Sequence, residues 1–287
     1  MEKKLSIVIV TYNSERLIFD CLNSIFKNND IGDELEIIIV DNCSDDRERV
    51  FKRIKSEYSF DIVLINSPVN KGYGHGNNQG VKSSNSPLII VMNPDVRLVE
   101  PIFRKIIKKF DINQNIGMMG VRFINRTSHL YYKPEDNNLI KMLFGSFFIK
   151  IGCYNINEMF FSGSFLIFNK KSFIKAGSFD ENIFMFYEEP DISNRILKIG
   201  KQVLLADNIY VLHLAHGRAV NNFLLKVGAK SRHYYFEKYQ ANIIDYYKNR
   251  LIYYRLKYAV AVLLNNKLKK AEFFAWIKMC KNRGKID

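Results

Sequence analysis

The sequence predicts an α/β protein with a Rossmann-like, mostly parallel central sheet flanked by helices, followed by a basic helical segment. Three observations predict it. Short unbroken apolar runs recur (SIVIV at 6–10, IIIV at 37–40, LIIVM at 88–92), as expected of strands buried on both faces. Between the early runs lie stretches with helical periodicity, so strand, helix and strand alternate as in βαβ units. Each run also ends in a polar cluster, and open α/β sheets hold ligands beyond the carboxyl ends of their strands.

Residues 5–10 read as the first strand, closed by Thr11-Tyr12-Asn13. Ser14 is an N-cap candidate for a helix bearing Leu17, Ile18, Cys21, Leu22, Ile25 and Phe26 at helical spacing. A second strand, 34–40, runs into the polar cluster Asp41 to Asp46. A polar helix (47–58) and a third strand (61–66) follow. The stretch 70–80, NKGYGHGNNQG, alternates glycines that would let backbone approach a ligand, and Asn77, Asn78 and Gln79 offer amides. It matches neither the GxGxxG dinucleotide fingerprint nor a GxxxxGK[ST] phosphate loop.

The run 88–92 is bounded by Pro87 and Asn93-Pro94, with Asp95 just past its end. Pro94 stiffens the turn and keeps Asn93 extended. A carboxylate is thereby aimed where a polyanionic substrate and its metal would arrive. An amphipathic helix (101–110) and a strand (117–123) come next, and 124–158 read as irregular. The segment 160–168, FFSGSFLIF, sets a polar Ser162-Gly163-Ser164 turn inside an apolar strand. Glu188, Glu189 and Asp191 open a helix carrying Ile192, Arg195, Ile196 and Ile199. The helix dipole explains part of that acidity. Apolar 184–187 presses the carboxylates toward the core, where their pKa values rise. Short strands at 203–206 and 209–212 precede His213 and His216.

The 287 residues suffice for one large domain or a domain with an appendage. Four separated cysteines with no CxxC pair argue against a disulfide framework or zinc site and fit a reducing compartment. The amino-terminal apolar run is too short for a signal peptide or a membrane span. Charge is uneven: residues 223–287 hold 15 Lys/Arg against 4 Asp/Glu, a net +11 of the chain's +14. That segment interleaves cations with Tyr, Phe and Trp276. Leu251, Tyr254, Tyr258 and Val262, then Phe273, Phe274, Trp276 and Ile277, suit helices lying on a membrane surface or an ordinary helix pair with a solvated basic face. No nucleic-acid reading motif accompanies the charge.

In this order the motifs resemble glycosyltransferase family 2, inverting, nucleotide-sugar-dependent enzymes of GT-A fold, and in particular its bacterial rhamnosyltransferase-like members. The resemblance runs over residues 4–217. SIVIVTYN (6–13) is similar to the opening strand and nucleotide-binding turn, VDNCSDD (40–46) to the second nucleotide contact, and 70–80 to the family's NxGFGxGNNxG stretch. Asn93-Pro94-Asp95 stands in place of the DxD motif, Ser162-Gly163-Ser164 matches the acceptor-flanking loop, and 179–195 resembles the FDExFFMYxEDxDLxxR segment that supplies the base. Here the chain departs: Glu189 occupies the place of the Asp of the ED pair, and Pro190 follows it.

The shift in charge and composition divides the chain into a body (1–222) and a basic tail (223–287), and the resemblance implies that the body has a nucleotide-sugar half (about 1–100) and an acceptor half (about 101–222, including 124–158 as acceptor-side loops). It implies nucleotide contacts at Thr11, Tyr12, Asn13, Asp41, Asn42, Lys71, Gly72, Gly76, Asn77, Asn78 and Asn93. It places the metal, Mn²⁺ or Mg²⁺, on Asp95 and His213, the acceptor at Ser162, Gly163 and Ser164, and base chemistry at Glu189, with Asp191 in reserve and Glu188 beside them. The implied donor is a UDP- or dTDP-sugar with rhamnose a candidate, and the acceptor a glycan, free or on a polyprenyl diphosphate, in surface-polysaccharide synthesis. The tail would meet an anionic membrane on the cytoplasmic face, and a homodimer is a further expectation. A catalytically weak nucleotide-sugar-binding paralogue is the main alternative, with a sugar nucleotidyltransferase behind it.

Overall fold

A computed structural model of the chain describes residues 2–124, 129–214 and 222–283. His216 lies outside them. The chain divides into two compact units, one of residues 1–131 and 160–217, the other of 132–159 and 218–287.

The first unit is built on an eight-stranded sheet. In chain order it contains β1 (Leu5–Thr11), α1 (Glu15–Lys27), β2 (Leu35–Asp41), α2 (Arg47–Glu57), β3 (Ile62–Asn66), α3 (Tyr73–Ser83), β4 (Leu88–Met92), β5 (Val96–Leu98), α4 (Phe103–Ile112) and β6 (Ile116–Phe123). Then β7 (Leu130–Tyr132) leads out; the second unit's α5 (Leu139–Lys150) follows, and β8 (Met159–Phe161) leads back to β9 (Phe165–Asn169). α6 (Lys170–Lys175), α7 (Glu188–Lys198) and β10 (Gln202–His213) complete it. The strand order is β3-β2-β1-β4-β9-β6-β10-β5. β3, β2, β1 and β4 run parallel, as do β6 and β10, while β9 is antiparallel to β4 and β6 and β5 to β10. β2 and β4 are buried at every position, which is why they read as unbroken apolar runs.

Four expectations change. Ser14 does precede α1, but its hydroxyl donates to Tyr12 O at 3.0 Å and caps nothing. The glycines read as letting backbone approach a ligand lie, from Tyr73 on, in a helix: a Cβ at Gly76 would fall on Val10, and one at Gly80 on Val8 and Val40. Those glycines let α3 lie close on the sheet, so their closeness serves packing. The strands expected at 203–206 and 209–212 are one strand, β10, with a register shift between Ala206 and Tyr210. Finally, 124–158 is not irregular throughout. Asn138 caps α5 by accepting from the N–H groups of Ile140 and Lys141 at 2.9 and 3.1 Å.

The second unit comprises α5 with α8 (Asn222–Lys238), α9 (Ile243–Leu263) and α10 (Lys267–Lys281). Tyr254 of α9 stacks on Trp276 of α10, centroids 5.4 Å apart and planes 9° from parallel, and Tyr258 meets Phe274. Part of the aromatic face expected on a membrane thus joins two helices, while Phe274 remains 60% exposed. Among the described residues no helix is long and apolar enough to cross a membrane.

Candidate active site

Asn93-Pro94-Asp95 is the tight turn between β4 and β5. Val96 N–H donates to Asn93 O at 3.1 Å, and buried Arg97 donates to the carbonyls of Pro94 and Val96 at 2.7 and 2.8 Å, bracing the turn from within. β5 pairs with β10 so that Val96 faces His213, and Leu214 N–H donates to Asp95 O at 2.9 Å. This register sets Asp95 Oδ2 3.2 Å from His213 Nε2, with the side chains 17% and 11% exposed. Ligand atoms bound at right angles to one first-row cation at about 2.1 Å stand about 3 Å apart. The carboxylate–imidazole spacing is thus compatible with two ligands of one divalent cation, while among the described residues no group of three or more His, Cys, Asp or Glu side chains is arranged to hold one.

The second cluster lies at the start of α7. Phe186 and Tyr187 both have left-handed backbones (φ 69° and 76°), a strain on the order of 1–3 kcal/mol each that delivers Glu188 and Glu189 into the first turn. Glu188 is 2% exposed and its Oε1 has no hydrogen-bond partner among the described residues. Burial, with Glu189 adding repulsion, raises its carboxyl well above the usual range. Glu189 is half-buried and accepts the Gly163 N–H at 3.0 Å. Burial raises its carboxyl as well, and N–H groups of its own backbone and of Gly163 restrain the rise. Asp191 is fully buried and held by Arg195 (Nη2 at 2.6 Å, Nε at 3.0 Å), which also donates to Ala176 O.

Gly163 joins the two clusters. Its N–H binds Glu189, its carbonyl accepts the Tyr73 hydroxyl at 2.6 Å, and the next carbonyl, of Ser164, accepts the Asn93 N–H at 2.9 Å. A Cβ at 163 would fall on Glu189 Oε1, so only glycine admits this carboxylate position. Ser162 and Ser164 hydroxyls sit 3.1 Å apart beside it. Burial holds the Tyr73 phenol well above its ordinary range, so it remains a donor. Tyr73 and Arg97 were not singled out from sequence. A polar aromatic inside a glycine run was the available signal for Tyr73; Arg97 gave none.

Of the expected nucleotide residues, Thr11, Tyr12, Asn13, Asp41 and Asn42 lie at the ends of β1 and β2, Lys71 and Gly72 between β3 and α3, and Asn93 just past β4. Thr11 faces Asp41 in register and its hydroxyl donates to Asp41 Oδ2 at 3.1 Å, while Ser44 N–H donates to Oδ1 at 2.8 Å. Asn42 donates to Asn70 Oδ1 and Gly72 O at 2.9 and 3.1 Å. Tyr12, Asn13 and Lys71 are exposed, whereas Gly76 and Asn77 are buried in α3. Asn78 faces the chain itself: it accepts Phe179 N–H at 3.0 Å and donates to Phe179 O and Glu181 Oε1, both at 2.9 Å. Tyr73 N–H donates to Phe184 O at 2.9 Å, and a Cβ at Gly72 (φ 98°) would strike that carbonyl. α3 thus fastens the 179–184 segment that leads into Glu188 and Glu189.

A haloarchaeal low-salt glycan biosynthesis hexosyltransferase (Haloferax volcanii) is 27% identical over 206 residues, 67% of this chain and 61% of the relative. The chain thus spans about three fifths of that relative's length. The Escherichia coli K12 rhamnosyltransferase WbbL is 23% identical over 227 residues, 73% of this chain and 83% of that one. A mannosyltransferase from Pyrobaculum calidifontis, solved with GDP-Man and Mn²⁺, superposes with TM-score 0.65 at 14% identity, covering 99% of this chain and 85% of that one. The fold is accordingly that of the GT-A glycosyltransferases. The model of glycosyl transferase family 2 matches residues 6–177, ending before Glu188 and including Tyr73, Asp95 and Gly163. With well over half of its length matched, the chain belongs to glycosyltransferase family 2.

Proposed function

We propose that the chain transfers a sugar, with inversion, from a nucleoside-diphosphate sugar to a hydroxyl of a glycan acceptor. The observation that supports this reading is that the Asp95–His213 pair and Glu189 are both tied to the Ser162-Gly163-Ser164 turn, by Asn93 N–H to Ser164 O and by Gly163 N–H to Glu189. Thr11, Tyr12, Asn13, Asp41, Asn42 and Lys71 then serve the nucleotide. Gly72, Gly76, Asn77, Asn78 and Asn93 shape its bed.

Glu189 takes the acceptor's proton as the acceptor oxygen bonds to the anomeric carbon. The bond from that carbon to the diphosphate breaks, the nucleoside diphosphate carries away the electron pair, and configuration inverts. A carboxylate whose pKa is raised by burial is the stronger base. Asp191, tied to Arg195, orients the helix, and burial holds the carboxyl of neighbouring Glu188 well above the usual range. Asp95 and His213 would hold a divalent cation, which would supply charge neutralisation for the departing diphosphate, with imidazole favouring Mn²⁺ over Mg²⁺. Ser162 and Ser164 meet the acceptor.

The donor is a UDP- or dTDP-sugar, with rhamnose the first candidate in view of the WbbL similarity. The acceptor is a polyprenyl-diphosphate-linked glycan at the cytoplasmic face of a membrane, which the excess of positive charge in the carboxyl-terminal helices favours.

A panel of nucleotide sugars with Mn²⁺ and glycan acceptors tests this reading by released nucleoside diphosphate and by NMR of the product anomer. A single donor giving an inverted product is expected. Tight nucleotide binding without turnover on any donor would leave a binding paralogue instead.

A further inference from the structure

α5, LIKMLFGSFFIK, is apolar almost all round, its two lysines being the only charges. Such a helix is ordinarily buried. Gly145 closes on the Tyr132 ring, and Asn249 of α9 donates to Asn137 O at 2.8 Å just before the α5 cap. Another face is open. Ile140, Phe144, Phe147 and, one residue past the helix, Ile151 recur at spacings of four, three and four, which aligns them in one stripe. They are 60%, 54%, 57% and 56% exposed. On α9, Ile252, Leu256, Val260 and Leu263 form a second exposed stripe (43–85%). Neither stripe comprises the aromatic residues that join α9 to α10.

The charge around this apolar surface identifies its partner. The second unit carries 19 Lys/Arg against 7 Asp/Glu, a net +12, which leaves the first unit only +2. Several of its acids are already engaged: Asp136 and Glu158 pair with Lys141, and Asp245 pairs with Lys248. Arg255 and Lys257 on α9 are exposed. A second copy meeting this face would bring two units of +12 together. An anionic surface gains from the same charge, and an apolar stripe beside cations is what a headgroup boundary accepts. At 12 residues α5 is about 18 Å long, too short for a hydrocarbon core of about 30 Å.

We propose that the second unit docks on an anionic lipid bilayer, with α5 lying in the interface plane and the Ile140, Phe144, Phe147 and Ile151 stripe inserted at the level of the acyl boundary. This deepens the membrane-side acceptor proposed above and rests on it for its purpose, while its test is independent of transfer. The insertion element is therefore α5, outside the basic carboxyl-terminal segment, with the tail supplying attraction.

The test is co-sedimentation of the full chain with phosphatidylcholine vesicles, with or without phosphatidylglycerol, at low and high salt, alongside light scattering for oligomeric state. The wild type should bind only the anionic vesicles, less tightly at high salt. Phe144→Ser with Phe147→Ser should weaken binding about tenfold or more. Nucleoside-diphosphate affinity and helical circular dichroism should stay unchanged. Ile151→Lys serves as a milder variant should the double change unfold. Wild-type binding by the variant would overturn the role of α5, as would binding of the wild type to neither vesicle. A wild-type dimer made monomeric by the same substitutions would assign the stripe to a second copy. Failure of the donor panel with intact vesicle binding would refute the transferase reading and leave this inference standing.

Discussion

At the scale of single residues, the site depends on a glycine held from both sides. Tyr73 pins the Gly163 carbonyl, and the Gly163 N–H pins Glu189, so the phenol positions the proposed base. Tyr73→Phe should lower kcat roughly tenfold with donor KM unchanged, because small misplacements of a reacting group cost that much or more. Gly163→Ala should cost more, since the new methyl displaces the Glu189 carboxylate, while the flexible side chain lets the fold survive. Steady-state kinetics of both variants check this; a KM effect alone would mean the turn serves binding. Glu188 allows a prediction of another kind. Its folded pKa lies well above that of the unfolded chain, so its stabilising share is present at low pH and is lost as pH rises toward the folded value. The wild type should lose up to about 1.4 kcal/mol per pH unit across that window, and Glu188→Gln should flatten the slope and be the more stable protein at neutral pH. Denaturant titrations at several pH values measure it.

At the scale of elements, legibility followed from whether the local pattern had one reading. β1, β2 and β4 are buried on both faces, and their apolar runs announced them. Asp95 was legible for the same reason, since a strand end with proline has few alternatives. The glycines of α3 were read for ligand approach because glycine carries two meanings, conformational freedom and smallness, and only the neighbouring Val8, Val10 and Val40 decide between them. Gly80→Ala should accordingly destabilise by about 1–3 kcal/mol through overpacking, read as a lower denaturant midpoint. α5 was invisible because periodicity marks a helix only when one face is polar, and here the sequence lacks that contrast. The His213–Asp95 approach depends on β5 pairing with β10 across more than a hundred residues, a register that no local pattern encodes. Tyr73 and Gly163 meet over 90 residues for the same reason.

At the scale of the whole molecule, the chain leaves its first unit after residue 131, returns at 160 and leaves again after 217. Ser162 N–H donates to His129 O at 3.0 Å and Lys133 N–H to Glu158 O at 2.9 Å, so residues 133 and 158 lie side by side. Charge alone suggested a boundary near 222, whereas 132–159 belongs with the carboxyl-terminal helices. Cutting at 222 would therefore strip α5 of its α9 partner. Replacing 134–157 with an Asn-Gly turn and ending the chain at 217 should give a folded body that binds nucleoside diphosphate, whereas the simple cut should aggregate. Size-exclusion chromatography and calorimetry separate the two.

The central claim, that Glu189 is the base of a sugar transfer whose donor site is organised by Asp95, is tested most directly by paired kinetics and calorimetry on Glu189→Gln. The account predicts donor affinity equal to wild type in the presence of Mn²⁺ and transfer reduced about 100-fold or more, the usual scale of acid–base catalysis. Near-normal transfer by Glu189→Gln, with Asp191→Asn dead although still folded, would contradict it and move the base to Asp191.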